Sequence, residues 1–244
     1  YFAADIAYHR NKFEKRGFDK VINVWGADHH GHVARLQAAL DGLGLDGSGR
    51  LVIVLMQLVN LLQDGKPVRM SKRTGKAIAL HDLLDEISVD AARYYFNNRV
   101  PSSPLDFDLG LAVREDSENP VYYVQYAHAR ICSLLKAMTE ENITVPSMAD
   151  VDVALLRDEA AQDLLKQISQ YPEELRLAGR DNDPSCINRY LVNLAGRFHK
   201  FYHDDRIKGE EANVLRARLK LAASVRTVLE NGLEVLGVSA PEHM

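Results

Sequence analysis

Two short stretches hold the residue types best suited to chemistry. The first is Asp28-His29-His30-Gly31-His32, with Gly26 and Ala27 just before it. Carboxylate and imidazole crowded together can bind a polar substrate or a nucleotide, and all four polar residues are metal-ligand types. No distant Cys or Glu pattern completes a metal site, so a ligand-facing turn is the expectation. The second is Gly65-Lys66-Pro67-Val68-Arg69-Met70-Ser71-Lys72-Arg73-Thr74-Gly75-Lys76, five cationic side chains in twelve residues with glycine at its start and near its end. Such a loop suits a triphosphate. Lysine gives point charge, backbone N–H groups and a Ser hydroxyl give hydrogen bonds, and glycine admits close approach. A solvated basic turn has the same composition. The run is not a Walker loop, because Met70 and Ala77 stand where Gly and Ser or Thr are needed. A third set is Tyr1 with Asp5, one helical turn apart, a phenol and an anion suited to a guanidinium or ammonium group. An ordinary surface pair reads the same way.

These residues need elements to position them. Residues 1–16 carry a helical pattern, with Phe2, Ile6 and Phe13 on one face and Gly17 as terminator. Val21–Trp25 reads as a short buried strand that ends in the Gly26–His32 turn. A helix with Val33, Leu36 and Leu40 follows, then the glycine-rich run 42–49, then a strand over Leu51–Met56. Strand, helix, strand at this spacing is a parallel βαβ unit, whose ligands sit at the carboxyl ends of the strands. Past the basic loop the patterns predict helices over Leu80–Ile87 and from Val89, the latter capped by Ser88, and a proline-containing connection over 97–114 around Asp106-Phe107-Asp108.

From residue 115 the patterns are helical throughout: Tyr122–Met138, Asp158–Leu177, Ile187–His203 and Glu211–Leu236, with Gly237 as cap. The fold class read from this is an α/β region with a partial Rossmann-like parallel sheet over 1–114, followed by an all-α helical bundle over 115–244.

Composition limits the partners. The chain has 244 residues, 46% hydrophobic and 26% charged, with net charge −4, so no global basic field points to nucleic acid. A local one exists: residues 189–226 hold nine Lys/Arg against four acids, interleaved with Tyr190, Phe198, His199, Phe201 and Tyr202. Basic charge with stackable rings suits a single-stranded RNA loop, and each ring is equally a core candidate. Cys132 and Cys186 are far apart and form no zinc or disulfide spacing, which fits a reducing cytoplasm. No apolar run is long enough to span a membrane.

Taken together, the motifs resemble those of the bacterial arginyl-tRNA synthetase family. Arg69-Met70-Ser71-Lys72-Arg73 looks like the class I KMSKS loop, with Arg for its first Lys. Val24-Trp25-Gly26-Ala27-Asp28-His29-His30-Gly31-His32 is similar to the family's strand-to-helix turn under the adenylate. Tyr1 and Asp5 match the spacing of its arginine-binding helix. Asn119–Arg130 resembles the opening of its DALR-type anticodon-binding domain, and Leu236–Met244 its carboxyl terminus, with His243 where Arg is usual. His29-His30-Gly31-His32 literally fits H-x-G-H, the other class I signature, but lies about 40 residues before the basic loop, too near for that motif. The resemblance therefore implies the second half of a catalytic domain, with the true H-x-G-H segment in an upstream region that this chain lacks.

The implied reaction is ATP-dependent activation of L-arginine and its transfer to tRNA(Arg). Lys72 and Ser71 are the implied catalytic residues. Gly26, Asp28, His29, His32, Arg69 and Met70 join them around ATP, which arrives with Mg2+, and no protein metal site is implied. Tyr1, Asp5 and Asp28 are implied for arginine, and Tyr123, Arg130, Tyr202, Arg206 and Met244 for the anticodon. A cytoplasmic monomer is expected, inactive by itself in arginine-dependent pyrophosphate exchange. Two other classes stay open on the residues alone: a non-catalytic tRNA-binding module, and a metal-dependent nucleotide hydrolase using the Asp28–His32 turn.

Overall fold

The computed structural model describes residues 1–68 and 78–244. Arg69, Met70, Ser71 and Lys72, the core of the basic loop, lie outside the described residues.

The chain forms two compact units, Tyr1–Asn60 with Arg99–Asp106, and Leu61–Asn98 with Phe107–Met244. Residues 61–98 and 107–114 group with the helices that follow.

In the first unit, helix α1 (Phe2–Arg10) widens into a π-helical turn over Asn11–Lys15. Gly17 ends it with φ of 69°, a conformation that costs glycine little. Strand β1 (Val21–Gly26) and strand β2 (Leu51–Met56) pair in parallel, Val21 opposite Leu51 through Gly26 opposite Met56. Between them run helix α2 (His30–Gly42) and a single turn, α3 (Gly47–Arg50), which the glycine-rich spacing did not suggest. Phe13, Val21, Leu36, Leu40, Leu45 and Leu51 make the core of this unit, with Ile6 and Trp25 against it. β1 is buried on one face only: Val21 and Asn23 point inward, whereas Ile22 and Val24 are exposed, contrary to a fully buried strand.

Strand β3 (Val59–Gln63), strand β4 (Lys66–Pro67) and strand β5 (Leu105–Asp108) form a second sheet, in the order β4–β3–β5. Thus part of the 97–114 connection is a strand, followed by one helical turn, α6 (Leu109–Ala112). Asp108 organises that corner. Its Oδ1 accepts from the N–H of Gly110 at 2.9 Å and Asp64 at 3.1 Å, and its Oδ2 from Gly65 at 2.7 Å. Burial raises its pKa, but these backbone donors outweigh that and hold the carboxyl below its ordinary value.

In the second unit, helix α4 (Leu80–Glu86) leads to helix α5 (Val89–Phe96), with Ser88 Oγ accepting from Ala91 N at 3.0 Å as the expected cap. Five α-helices follow: α7 (Pro120–Glu140), α8 (Glu159–Ser169), α9 (Tyr171–Asp181), α10 (Ser185–Asp204) and α11 (Ala212–Leu236). The single helix expected over Asp158–Leu177 is two. Pro172 lacks an N–H and clashes with the preceding turn, so the chain breaks at Gln170 and Pro172 sits in the first turn of α9. The expected stripes are core. Val124, Ala127, Ile131, Leu134 and Met138 are buried, as are Leu215, Leu219, Ala222, Val225, Leu229, Leu233 and Leu236. α5 docks on α10 through a reciprocal pair: Tyr94 Oη donates to Asn188 O at 3.3 Å, and Asn188 Nδ2 donates to Tyr94 O at 2.9 Å. Past Gly237 the tail is fastened to α5 and α7. Ser239 N and Oγ donate to Asp90, Gln125 Nε2 donates to Ser239 O at 2.9 Å, and His128 Nδ1 donates to Pro241 O at 2.9 Å.

Arg218, on α11, is a buried cation. Its guanidinium meets Asp158 at 2.7 Å, Asp205 at 3.4 Å and Glu210 at 3.5 Å, and donates to Arg206 O. Burial, then the neighbouring Asp158 charge, push the Asp205 carboxyl up, while the hydrogen bond to Arg218 leads in lowering Asp158. Removing the cation strands Asp205 in the interior. Arg218→Met is expected to lower unfolding free energy by about 3–5 kcal/mol in urea titration; a loss below about 1 kcal/mol would show that the ion cluster carries little stability.

Candidate ligand pocket and nucleic-acid interface

The strand-end turn forms one wall of a pocket of about 580 Å3 lined by Tyr1, Asp5, Trp25, Asp28, His29, His30, Gly31, His32 and Arg35. It is contained in the first unit, at the carboxyl end of β1. Tyr1 and Asp5 are therefore brought together with Asp28, His29 and His32, although 27 residues separate Asp5 from His32. Gly26 is extended, with φ −63° and ψ 147°, and Ala27–His29 make a 3-10 turn into α2. A Cβ on Gly26 would lie 2.5 Å from Asp28 Oδ1, so only glycine lets that carboxylate fold back over the strand end.

The residues of the turn do diverge. His32 points inward. Its Nε2 meets Asp5 Oδ2 at 3.3 Å, and its ring lies between Phe2 at 5.0 Å and Trp25 at 5.6 Å. His30 Nδ1 turns back to Ala27 O at 3.2 Å. His29 and Asp28 are open to solvent and 3.7 Å apart, so their attraction is weak. Among the described residues, no three His, Cys, Asp or Glu side chains are grouped to hold a metal ion. The pocket offers two carboxylates, Asp5 and Asp28, a phenol and an indole face. Those groups recognise a planar cation by paired hydrogen bonds and cation–π contact. Sequence reasoning did not single out Trp25 as a pocket wall. It also missed His9 and Asn23 beneath the pocket, whose only signal was polar residues at core positions.

The second candidate site lies in the second unit, between α7 and α10. Arg130, Tyr202 and Arg206 line a cavity of about 410 Å3 together with Ser133, Ala137 and Lys208. The Arg130 guanidinium sits 4.3 Å over the Tyr202 ring, and its Nη1 donates to His199 Nδ1 at 3.4 Å. Tyr123 joins through the same imidazole, its ring 5.0 Å from that of His199. Three of the anticodon candidates are thus brought into one cavity and a fourth adjoins it. Met244 is exposed and does not line the cavity. Tyr190, Phe198 and Phe201 are buried, so these rings of the basic stretch are core. Its charges are also partly used: Arg197 pairs with Asp163, Lys208 with Glu141, and Arg218 is interior.

Known proteins resemble this chain over its whole length. The DALR anticodon binding domain family matches residues 124–244. An arginine–tRNA ligase of Caldanaerobacter subterraneus subsp. tengcongensis is 53% identical over 244 residues, all of this chain and 43% of that protein. One from Carboxydothermus hydrogenoformans is 54% identical over the same span, again 43% of its length. The chain therefore spans less than half the length of these relatives. A crystal structure from Campylobacter jejuni, assigned as an arginyl-tRNA synthetase, superposes with a TM-score of 0.85 at 36% identity, covering 100% of this chain and 52% of that one. The arginyl-tRNA synthetase of Thermus thermophilus shares the fold, with a TM-score of 0.82 at 21% identity over 100% of this chain and 49% of that one.

The joint of the second site has a pH signature. Burial, and then the Arg130 charge, depress the His199 pKa from 6.5 to about 4. The unfolded chain takes up this proton near pH 6.5 and the folded chain only near pH 4. Stability from this group is complete above the upper value and falls as pH drops through the window. NMR titration of the His199 ring should give a midpoint well below 6.5, and His199→Gln should flatten that part of the acid-stability curve; a midpoint near 6.5 would contradict the buried, Arg130-facing placement.

Proposed function

The chain belongs to the arginyl-tRNA synthetase family, matching the carboxyl-terminal part of its members over its whole length, and from this we propose that it serves ATP-dependent activation of L-arginine and transfer of the product to tRNA(Arg). The observation that carries the reading is the convergence of Tyr1, Asp5 and Asp28 on one pocket at the carboxyl end of a parallel strand. Asp5 accepts from the substrate guanidinium, whose flat fork matches a carboxylate, and Tyr1 and Asp28 complete the grip. His32 holds Asp5 on its far side. Gly26, Asp28, His29 and His32 line the side from which the adenosine and aminoacyl groups are held.

In the first step the arginine carboxylate attacks the α-phosphate of ATP and pyrophosphate leaves. In the second the aminoacyl group passes to the terminal adenosine of tRNA. The protein's part is positioning and stabilising charge that grows on the pyrophosphate. By the sequence resemblance, Lys72 and Ser71 meet that charge, with Arg69 and Met70 beside them. Mg2+ enters as part of the ATP substrate. Residues 1–114 serve the catalytic domain and 115–244 the anticodon-binding domain, where Tyr123, Arg130, Tyr202, Arg206 and Met244 meet the anticodon loop. The protein works as a cytoplasmic monomer.

Trp25 is the one tryptophan of the chain and lines the pocket, so its fluorescence reports occupancy. L-Arginine is expected to change that signal saturably, lysine much less, and Asp5→Asn to abolish the response; equal responses to arginine and lysine would sink the guanidinium assignment. For the second site, an anticodon hairpin of tRNA(Arg) is expected to bind with strong salt dependence. Tyr202→Ala should weaken it by about 1–3 kcal/mol, the cost of one lost base-stacking partner, and unchanged affinity in a filter-binding assay would remove Tyr202 from the interface.

A further inference from the structure

A buried polar chain runs behind the pocket wall, where apolar packing would be the ordinary solution. Lys12 Nζ donates to Asn23 Oδ1 at 3.4 Å, Asn23 Nδ2 donates to His9 Nε2 at 2.6 Å, and His9 Nδ1 donates to the main-chain oxygen of Asp5 at 2.7 Å. His9 is 4% exposed and Asn23 9%. The direction of every bond is fixed by the first. An ammonium group only donates, so the amide oxygen of Asn23 must face Lys12. Its NH2 is then left for His9. His9 Nε2 therefore accepts, and the ring proton sits on Nδ1, aimed at Asp5. Any other amide orientation or tautomer sets donor against donor or acceptor against acceptor.

The chain ends on a functional residue. Asp5 is the carboxylate that lines the pocket, and its backbone is what His9 grips. Asn23 stands two residues before Trp25 on the same face of β1, so the relay joins the helix that carries Tyr1 and Asp5 to the strand that carries the indole wall. It acts where α1 gives way to the wider π-helical turn at Asn11, the point at which regular helical bonding alone would hold α1 least firmly. Burying a histidine and an amide is unfavourable unless every group is satisfied. Here each one is, in a single sense.

We propose that His9 and Asn23 are positioning residues for the Asp5 carboxylate, fixing the distance of α1 from β1 and hence the width of the guanidinium site. The proposal rests on the reading of this pocket as the arginine site. Its test uses three variants and the Trp25 fluorescence titration with L-arginine. Asn23→Leu and His9→Leu remove the relay at similar volume and should weaken arginine binding about tenfold, with the thermal melt showing each variant folded. His9→Asn places an amide N–H where Nδ1 stands, restores the bond to Asp5 O, and should bind within about threefold of the unmodified chain. A folded Asn23→Leu chain that binds arginine as well as the unmodified one overturns the positioning role. Should both leucine variants unfold, the 15N spectrum of the His9 ring decides: a proton on Nδ1 with Nε2 bare supports the relay, and a proton on Nε2 overturns it. Absence of any arginine response in the unmodified chain overturns the ligand reading itself, a result distinct from either of these.

Discussion

The parallel register of β1 and β2 is the constraint from which the pocket follows. Two parallel strands cannot be joined by a tight turn, so the chain must cross back along a helix, and α2 is that crossover. The crossover must begin where β1 ends. Gly26 and the 3-10 turn make the change of direction within a few residues, and they leave Asp28, His29 and His32 clustered at the strand end. α1 packs against the same core through Ile6, and the π-helical turn after it through Phe13, which sets Asp5 opposite His32. The pocket is thus the opening that a βαβ connection leaves at its carboxyl edge, walled on one side by the helix that precedes it.

Much of this was legible because it rests on period and punctuation. The apolar run Leu51–Met56 and the stripes of α7 and α11 could be read directly, and Ser88 and Gly237 marked helix ends by the conformations they favour. What was not legible depends on pairing between distant residues. β3 has no clear period, and β5 alternates apolar and polar residues over only four positions, too few to stand out from a loop. The break between α8 and α9 was signalled by Pro172, but an amphipathic stripe continuing past it masked the signal. His9 and Asn23 are polar residues at core positions, a pattern that does not name their partner. Only the fold brings them together across 14 positions, where each satisfies the other. Tyr1 and Asp5 could be paired by helical spacing, whereas their meeting with His32 could not.

The helical unit shows why a count of basic residues overstates an interface. Part of the positive excess over 189–226 is structural. Arg218 holds Asp158 and Asp205, and its hydrogen bond to the Arg206 carbonyl steadies the segment that presents the Arg206 side chain. Arg197 and Lys208 answer acids on α8 and at the end of α7. Arg130, stacked on Tyr202, and the exposed Arg206 line one cavity. A flat cation against a ring is a surface on which a nucleobase can also stack.

The fastening of the tail has a consequence for how the chain comes into being. Gln125 and His128 are buried with their polar atoms turned toward residues 239 and 241, and Asp90 shares the same partner. Those partners lie 114, 113 and 149 positions further along. A ribosome adding roughly 5–20 residues per second takes on the order of ten seconds to reach them. Through that interval Gln125, His128 and Asp90 lack these partners. The contacts that fasten α5 and α7 to the tail can therefore form only after the residues beyond α11 have been added.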